Sequence, residues 1–123
     1  MLLRYFDLAN DLRMSVVLVG TYDAVVALRT DAQMTSRFAP VELPRWTESD
    51  EFRKFLAAFV RLLPLKRPSA LANRDVVQFV LAATGGITGA VAQLLNCAAE
   101  LAIRDASESI SLGHLERAAA ATA

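Results

Sequence analysis

A predominantly α chain, with part of an α/β layer ahead of a four-helix bundle, is the fold class that three observations predict. Val16-Val17-Leu18-Val19 is a continuous apolar run of strand length that stops at Gly20-Thr21, as buried parallel strands do. A second run, Ala39 to Leu43, is bounded by prolines and reads as a return to the same sheet. From Thr47 onward the pattern changes to apolar residues at helical spacing. The chain therefore divides into residues 1–46, part of an α/β layer, and residues 47–123, a helical subdomain.

Taken in order, Met1 to Met14 interleaves Leu2, Leu3, Phe6, Leu8, Ala9 and Leu12 with polar residues, the pattern of a helix with one packed side. It opens without a capping residue and ahead of any first strand, so the start reads as a cut. Thr21, at the carboxyl end of the first strand, lies where α/β proteins place their ligands. Its hydroxyl can equally cap the next helix, in which Ala24, Val25 and Leu28 share one side. Asp31 can cap a short turn through Ala32, Gln33 and Met34 that ends at Ser36-Arg37.

Thr47-Glu48-Ser49-Asp50 resembles a capping box, and Phe52, Phe55, Leu56, Phe59 and Leu63 follow on one stripe before Pro64 stops the helix. Phe55, at the centre of that stripe, is expected to face a core. After a linker containing Pro68, Asn73 can cap a helix carrying Val76, Val77, Val80 and Leu81. Gly85-Gly86 stand where a left-handed C-terminal cap is favoured. Ile87, Val91, Leu94, Leu95, Ala98, Leu101 and Ala102 form the stripe of a longer helix. Ser111 can cap the last helix, with Ile110 and Leu115 at the spacing of a hydrophobic staple. The Ala118 to Ala123 tail is expected to fray.

At 123 residues the chain holds one domain or two small subdomains. Thirteen basic and thirteen acidic residues leave no net charge to argue for or against nucleic acid. Hydrophobic residues make up 54% and mean hydropathy is +0.35, yet no apolar run approaches the roughly 18 to 20 residues of a membrane span. Arg4 and Asp7 interrupt the N-terminal apolar stretch, which is unlike a signal peptide, so a cytoplasmic protein without a membrane partner is expected. Cys97 reads as a small buried hydrophobe. His114 has no acid or cysteine at ligand spacing, and no metal site is expected.

Taken together, Gly20-Thr21, Asp31-Ala32-Gln33, Ser36-Arg37-Phe38, Leu43-Pro44-Arg45-Trp46 and Leu63-Pro64-Leu65, followed by helices, resemble the C-terminal part of an AAA+ ATPase. The resemblance is to the transposition ATPases of the TniB and TnsC type, and it extends over nearly the whole chain. It implies that Thr21 is the sensor-1 residue, which orients the attacking water or the γ-phosphate. It implies that Arg37 is an arginine finger reaching the nucleotide of a neighbouring subunit. Gly85, Gly86 and Thr88 would open the sensor-2 segment of a helical lid. The plainer alternatives are a helix cap for Thr21, a surface arginine at a helix end for Arg37, and a helix stop for the glycines.

The chain departs from the AAA+ pattern in three places. Gly89 and Ala90 stand where the lid arginine belongs. The chain also has no G-x-x-x-x-G-K-[ST] phosphate loop and no apolar run ending in Asp-Glu to hold magnesium. ATP and Mg are therefore expected as cofactors of a longer protein, with those motifs upstream of Met1, and this chain alone is expected to bind neither. In an AAA+ sheet the phosphate-loop strand would separate the two strands kept here, leaving both with unpaired edges.

The resemblance implies a homo-oligomer assembling on DNA with a transposase and a target-recognition protein. Alternatives are a non-enzymatic helical interaction module, or a fragment of another AAA+ ATPase such as a replication initiator or clamp loader. Arg53, Lys54, Arg61, Lys66, Arg67 and Arg74 form either a solvated helix face or a DNA contact. Trp46 is either a packing anchor or a stacking platform.

Overall fold

The structure, a computed structural model, describes residue 7 and residues 9–122. The chain separates into two compact units, Met1–Glu42 and Leu43–Ala123.

In the first unit, residues 9–11 are helical, while most of the helix expected over Met1 to Met14 lies outside the described residues. Helix α1 (Tyr22–Arg29) and helix α2 (Ala32–Arg37) follow and pack together. Their junction is built by local side-chain bonds. The Thr30 hydroxyl donates to Ala27 O at 2.7 Å, and Asp31 Oδ1 accepts the Gln33 N–H at 2.9 Å, the cap expected of it.

The expected sheet is not there. Among the described residues no strand forms, and the α/β class with a partial parallel sheet gives way to a helical fold. Val16 to Val19 are exposed, Val17 at 85% and Val19 at 93%, and so are Val41 and Leu43. The reason is the ladder. A strand is held by a neighbour's N–H and C=O groups, and neither apolar run finds such a neighbour, so β propensity alone leaves both without regular structure.

The second unit consists of four helices: α3 (Asp50–Leu62), α4 (Arg74–Thr84), α5 (Thr88–Arg104) and α6 (Leu112–Thr122). Helix α3 starts at Ser49, whose Oγ accepts the Phe52 N–H at 3.2 Å. The cap is thus Ser49 rather than Thr47, and only half of a capping box forms because the residue three places on is phenylalanine. The helix ends two residues before Pro64, which cannot continue it. Helix α4 ends in two left-handed glycines, Gly85 at φ 60° and Gly86 at φ 70°.

Stripes from all four helices meet in one core of Phe52, Leu56, Val76, Val77, Val80, Val91, Leu94, Leu95, Ala98 and Leu115, with Ile110 and Ala118 completing it at α6. Phe52 and Leu56 are wholly buried, whereas Phe55 and Phe59 are half-buried on the core's margin, so the buried face runs through Phe52 and Leu56 and Phe55 stands to one side of it. Ile110 and Leu115 are both buried, as a hydrophobic staple requires. Helix α6 continues to Thr122, with Ala118 in the core, and Ala123, the last residue of the tail expected to fray, lies outside the described residues. Among the described residues no single helix is long and apolar enough to cross a membrane.

Candidate functional site

Thr21 and Arg37 both lie in the first unit. Thr21 occupies the N-cap position of α1 and its backbone carbonyl accepts the Ala24 N–H at 3.0 Å, but its side chain makes no capping bond. The hydroxyl is exposed and available to another partner. Gly20 lets the chain turn tightly here, since a Cβ on it would lie 2.7 Å from Ala24 Cβ. Arg37 ends α2, where a cation complements the helix dipole, and is exposed without an ion-pair partner among the described residues.

Gly85, Gly86 and Thr88 lie in the second unit, and what brings them together is Trp46. The Trp46 backbone N–H donates to Gly86 O at 2.8 Å, and its indole Nε1–H donates to Thr88 Oγ1 at 3.0 Å. A Cβ on Gly86 would collide with the Trp46 carbonyl oxygen, so glycine is required by approach as well as by its positive φ. The indole ring stacks on Phe55 at 5.0 Å between centroids and tilts over Phe52 at 5.5 Å. Trp46 is therefore an anchor that fastens the Gly-Gly turn and the start of α5 to the aromatic margin of α3.

This arrangement bears on nucleotide chemistry. Thr88 Oγ accepts the indole hydrogen and keeps its own proton to donate, which suits a phosphate oxygen. The Gly-Gly turn, however, is filled by Trp46 and forms no open cradle of N–H groups. The cation nearest this turn is Arg45, whose Nη1 lies 3.5 Å from where a Gly85 Cβ would stand. Nothing in its spacing marked it, because Arg45 reaches the turn only once Trp46 has docked. Among the described residues no group of three or more His, Cys, Asp or Glu side chains comes together to hold a metal ion.

Two polar clusters escaped the sequence reading. Glu48 accepts from Arg53 at 3.3 Å and Gln78 at 3.2 Å and pairs with Arg74 at 3.6 Å, tying the entry of α3 to α4. Arg53 and Arg74 thus belong to a structural network. His114 is buried and does have an acidic partner: its Nε2 lies 2.7 Å from Asp105 Oδ2. The Ser111 N–H donates to Nδ1 at 3.0 Å, so Nδ1 is the acceptor and Nε2 carries the proton. This is the reciprocal half of a capping box, with histidine in the place of glutamate. The Ser107 hydroxyl, His114, the Ser107 N–H and Arg117 hold the Asp105 carboxyl well below the usual carboxylate range, against a smaller cost of desolvation. The signal was weak because Asp105 and His114 stand on different helix ends, nine residues apart.

A transposition-associated class of protein is consistent with what the chain matches. Residues 2–48 match the family model described as Bacterial TniB protein. That stretch includes both Thr21 and Arg37 and ends at the entry of α3, so the match supports a TniB-type family over less than half of the chain. Among curated proteins and among solved structures nothing matches.

Proposed function

We propose that the chain is the C-terminal part of a TniB-type AAA+ ATPase that regulates DNA transposition by nucleotide-dependent assembly on DNA. The observation that carries this reading is the TniB match over residues 2–48, the stretch holding Thr21 and Arg37. Two features support it: a Thr21 hydroxyl that is not spent on capping, and an Arg37 guanidinium that is exposed and unpaired among the described residues. In the complete protein ATP and Mg, held by groups outside this chain, supply the phosphoryl group and its charge neutralisation. Thr21 orients the attacking water, and Arg37 stabilises charge on a neighbouring subunit's transferred group. The four-helix unit serves as the lid, with Thr88 donating to a phosphate oxygen. The assembly, a homo-oligomer, engages a transposase and a target-recognition protein. No strand forms among the described residues, so the reading rests on the family match and on the Thr21 and Arg37 side chains.

The test is a calorimetric titration of Mg-ATP into this chain and into a version extended upstream through any phosphate loop its reading frame encodes. The extended protein should bind nucleotide and assemble on DNA, and the chain alone should give no magnesium-dependent heat. Micromolar binding by the chain alone, or an upstream frame without a phosphate loop, sinks the proposal. A non-enzymatic helical interaction module would then be favoured by the self-contained core of the second unit.

A further inference from the structure

Six cations around α3 and the following linker read as one basic cluster in the sequence, but the structure divides them. Arg53 and Arg74 are engaged by Glu48. Arg61, Lys66 and Arg67 instead border a groove of about 340 Å³ between the C-terminal half of α3 and the linker. Its floor is apolar, made by Ala57, Val60, Leu63 and Leu65. The Arg61 and Arg67 side chains have no acidic partner among the described residues, and Lys66, 82% exposed, is held only loosely by Glu108 at 3.6 Å. Three positive charges against one negative leave the rim cationic.

The groove is built before any partner arrives. Pro64 and Pro68 fix the backbone at both ends of its linker wall. The Arg67 N–H donates to Glu108 O at 3.0 Å, and Ser69 Oγ accepts the Ile110 N–H at 2.8 Å, pinning the wall to the loop between α5 and α6. Ile110 is itself in the core. A preformed wall removes ordering cost from binding.

We infer that this groove docks an acidic protein segment, seating one or two large apolar side chains on the Val60-Leu63-Leu65 floor while carboxylates meet Arg61, Arg67 and Lys66. The floor decides against nucleic acid, whose phosphates need cations but have no use for an aliphatic trough. A volume of about 340 Å³ has room for one or two large side chains. Arginines at the rim give planar, two-pronged pairing with carboxylates, and the apolar centre supplies the anchor. The inference stands independently of the ATPase reading.

The experiment uses the full chain and fluorescence anisotropy. The probe is a labelled peptide with one phenylalanine and one leucine among glutamates, compared with an all-acidic peptide and a labelled random-sequence duplex. The mixed peptide should bind, and Arg61→Glu with Arg67→Glu should weaken it by about tenfold or more. Ala57→Trp, which fills the floor from an exposed position, should weaken it as well, whereas Lys54→Glu, outside the groove, should not. Circular dichroism of each variant shows whether it is folded, and the arginine reversals suffice if Ala57→Trp is not. Equal binding of the all-acidic peptide overturns the inference, as does duplex binding that depends on the same arginines without peptide binding. Absence of any peptide binding overturns it too.

Discussion

A methyl group at residue 86 and one at residue 89 should have opposite effects. At Gly86 the backbone is left-handed and an added Cβ meets the Trp46 carbonyl, so Gly86→Ala should destabilise the second unit by about 1 to 3 kcal/mol. Gly85 shares the positive φ but faces only the movable end of Arg45, and Gly85→Ala should cost about 1 kcal/mol. Gly89 lies inside α5 with nothing within 4 Å of its would-be Cβ, and Gly89→Ala should stabilise by up to about 1 kcal/mol through helix propensity. Thermal melts followed by circular dichroism check the ranking, and an unchanged midpoint for Gly86→Ala would show that Trp46 yields. The Gly-Gly stop was legible from residue type alone. Its second constraint was not, since nothing local reveals that Trp46, forty residues earlier, lies against it. His114 and Asp105 teach the same lesson, because their bond depends on where two helix ends meet.

Helices α3 to α6 were legible because each carries a stripe at helical spacing within its own span, helped by the Ser49 cap of α3 and the glycine stop of α4. Asn73 makes no side-chain cap bond, and α5 opens at Ile87 and closes at Asp105 without either signal. The apolar run Val16 to Val19 carried an equally clear propensity, and Ala39 to Leu43, with Pro40 and Glu42 inside it, a weaker one; neither forms a strand. Strand structure belongs to a pair, and neither run finds a partner among the described residues. Even where a helix was right, the depth of each stripe position was not readable. Phe52 is wholly buried while Phe55 stacks on Trp46 at the margin. Phe52→Ala should therefore cost about 3 to 5 kcal/mol, the range for a large core side chain. Phe55→Ala should cost about 1 to 2 kcal/mol, from partial burial and a lost ring stack. Denaturant titrations of the two variants decide the matter. A Phe55→Ala loss equal to or larger than that of Phe52→Ala would show that the buried face runs through Phe55 and not through Phe52 and Leu56.

The molecule as a whole carries its candidate chemistry in two places, Thr21 and Arg37 in the first unit and the Trp46-fastened turn in the second. A nucleotide site assembled from several chains would explain why Arg37 stands exposed and unpaired among the described residues at a helix end. If Arg37 acts across a subunit boundary in the longer ATPase proposed above, Arg37→Ala should leave nucleotide binding nearly intact, since the binding groups belong to the neighbour. It should nevertheless lower ATP turnover by about a thousandfold or more. Lysine should rescue poorly, because a point charge lacks the planar fork of the guanidinium. Mixing the Arg37→Ala protein with a phosphate-loop mutant should restore part of the turnover, since some interfaces then join an intact arginine to an intact binding site. Should the mixed proteins assemble together and remain as inactive as each is alone, Arg37 does not act in trans, and it is a surface arginine that merely complements the end of α2.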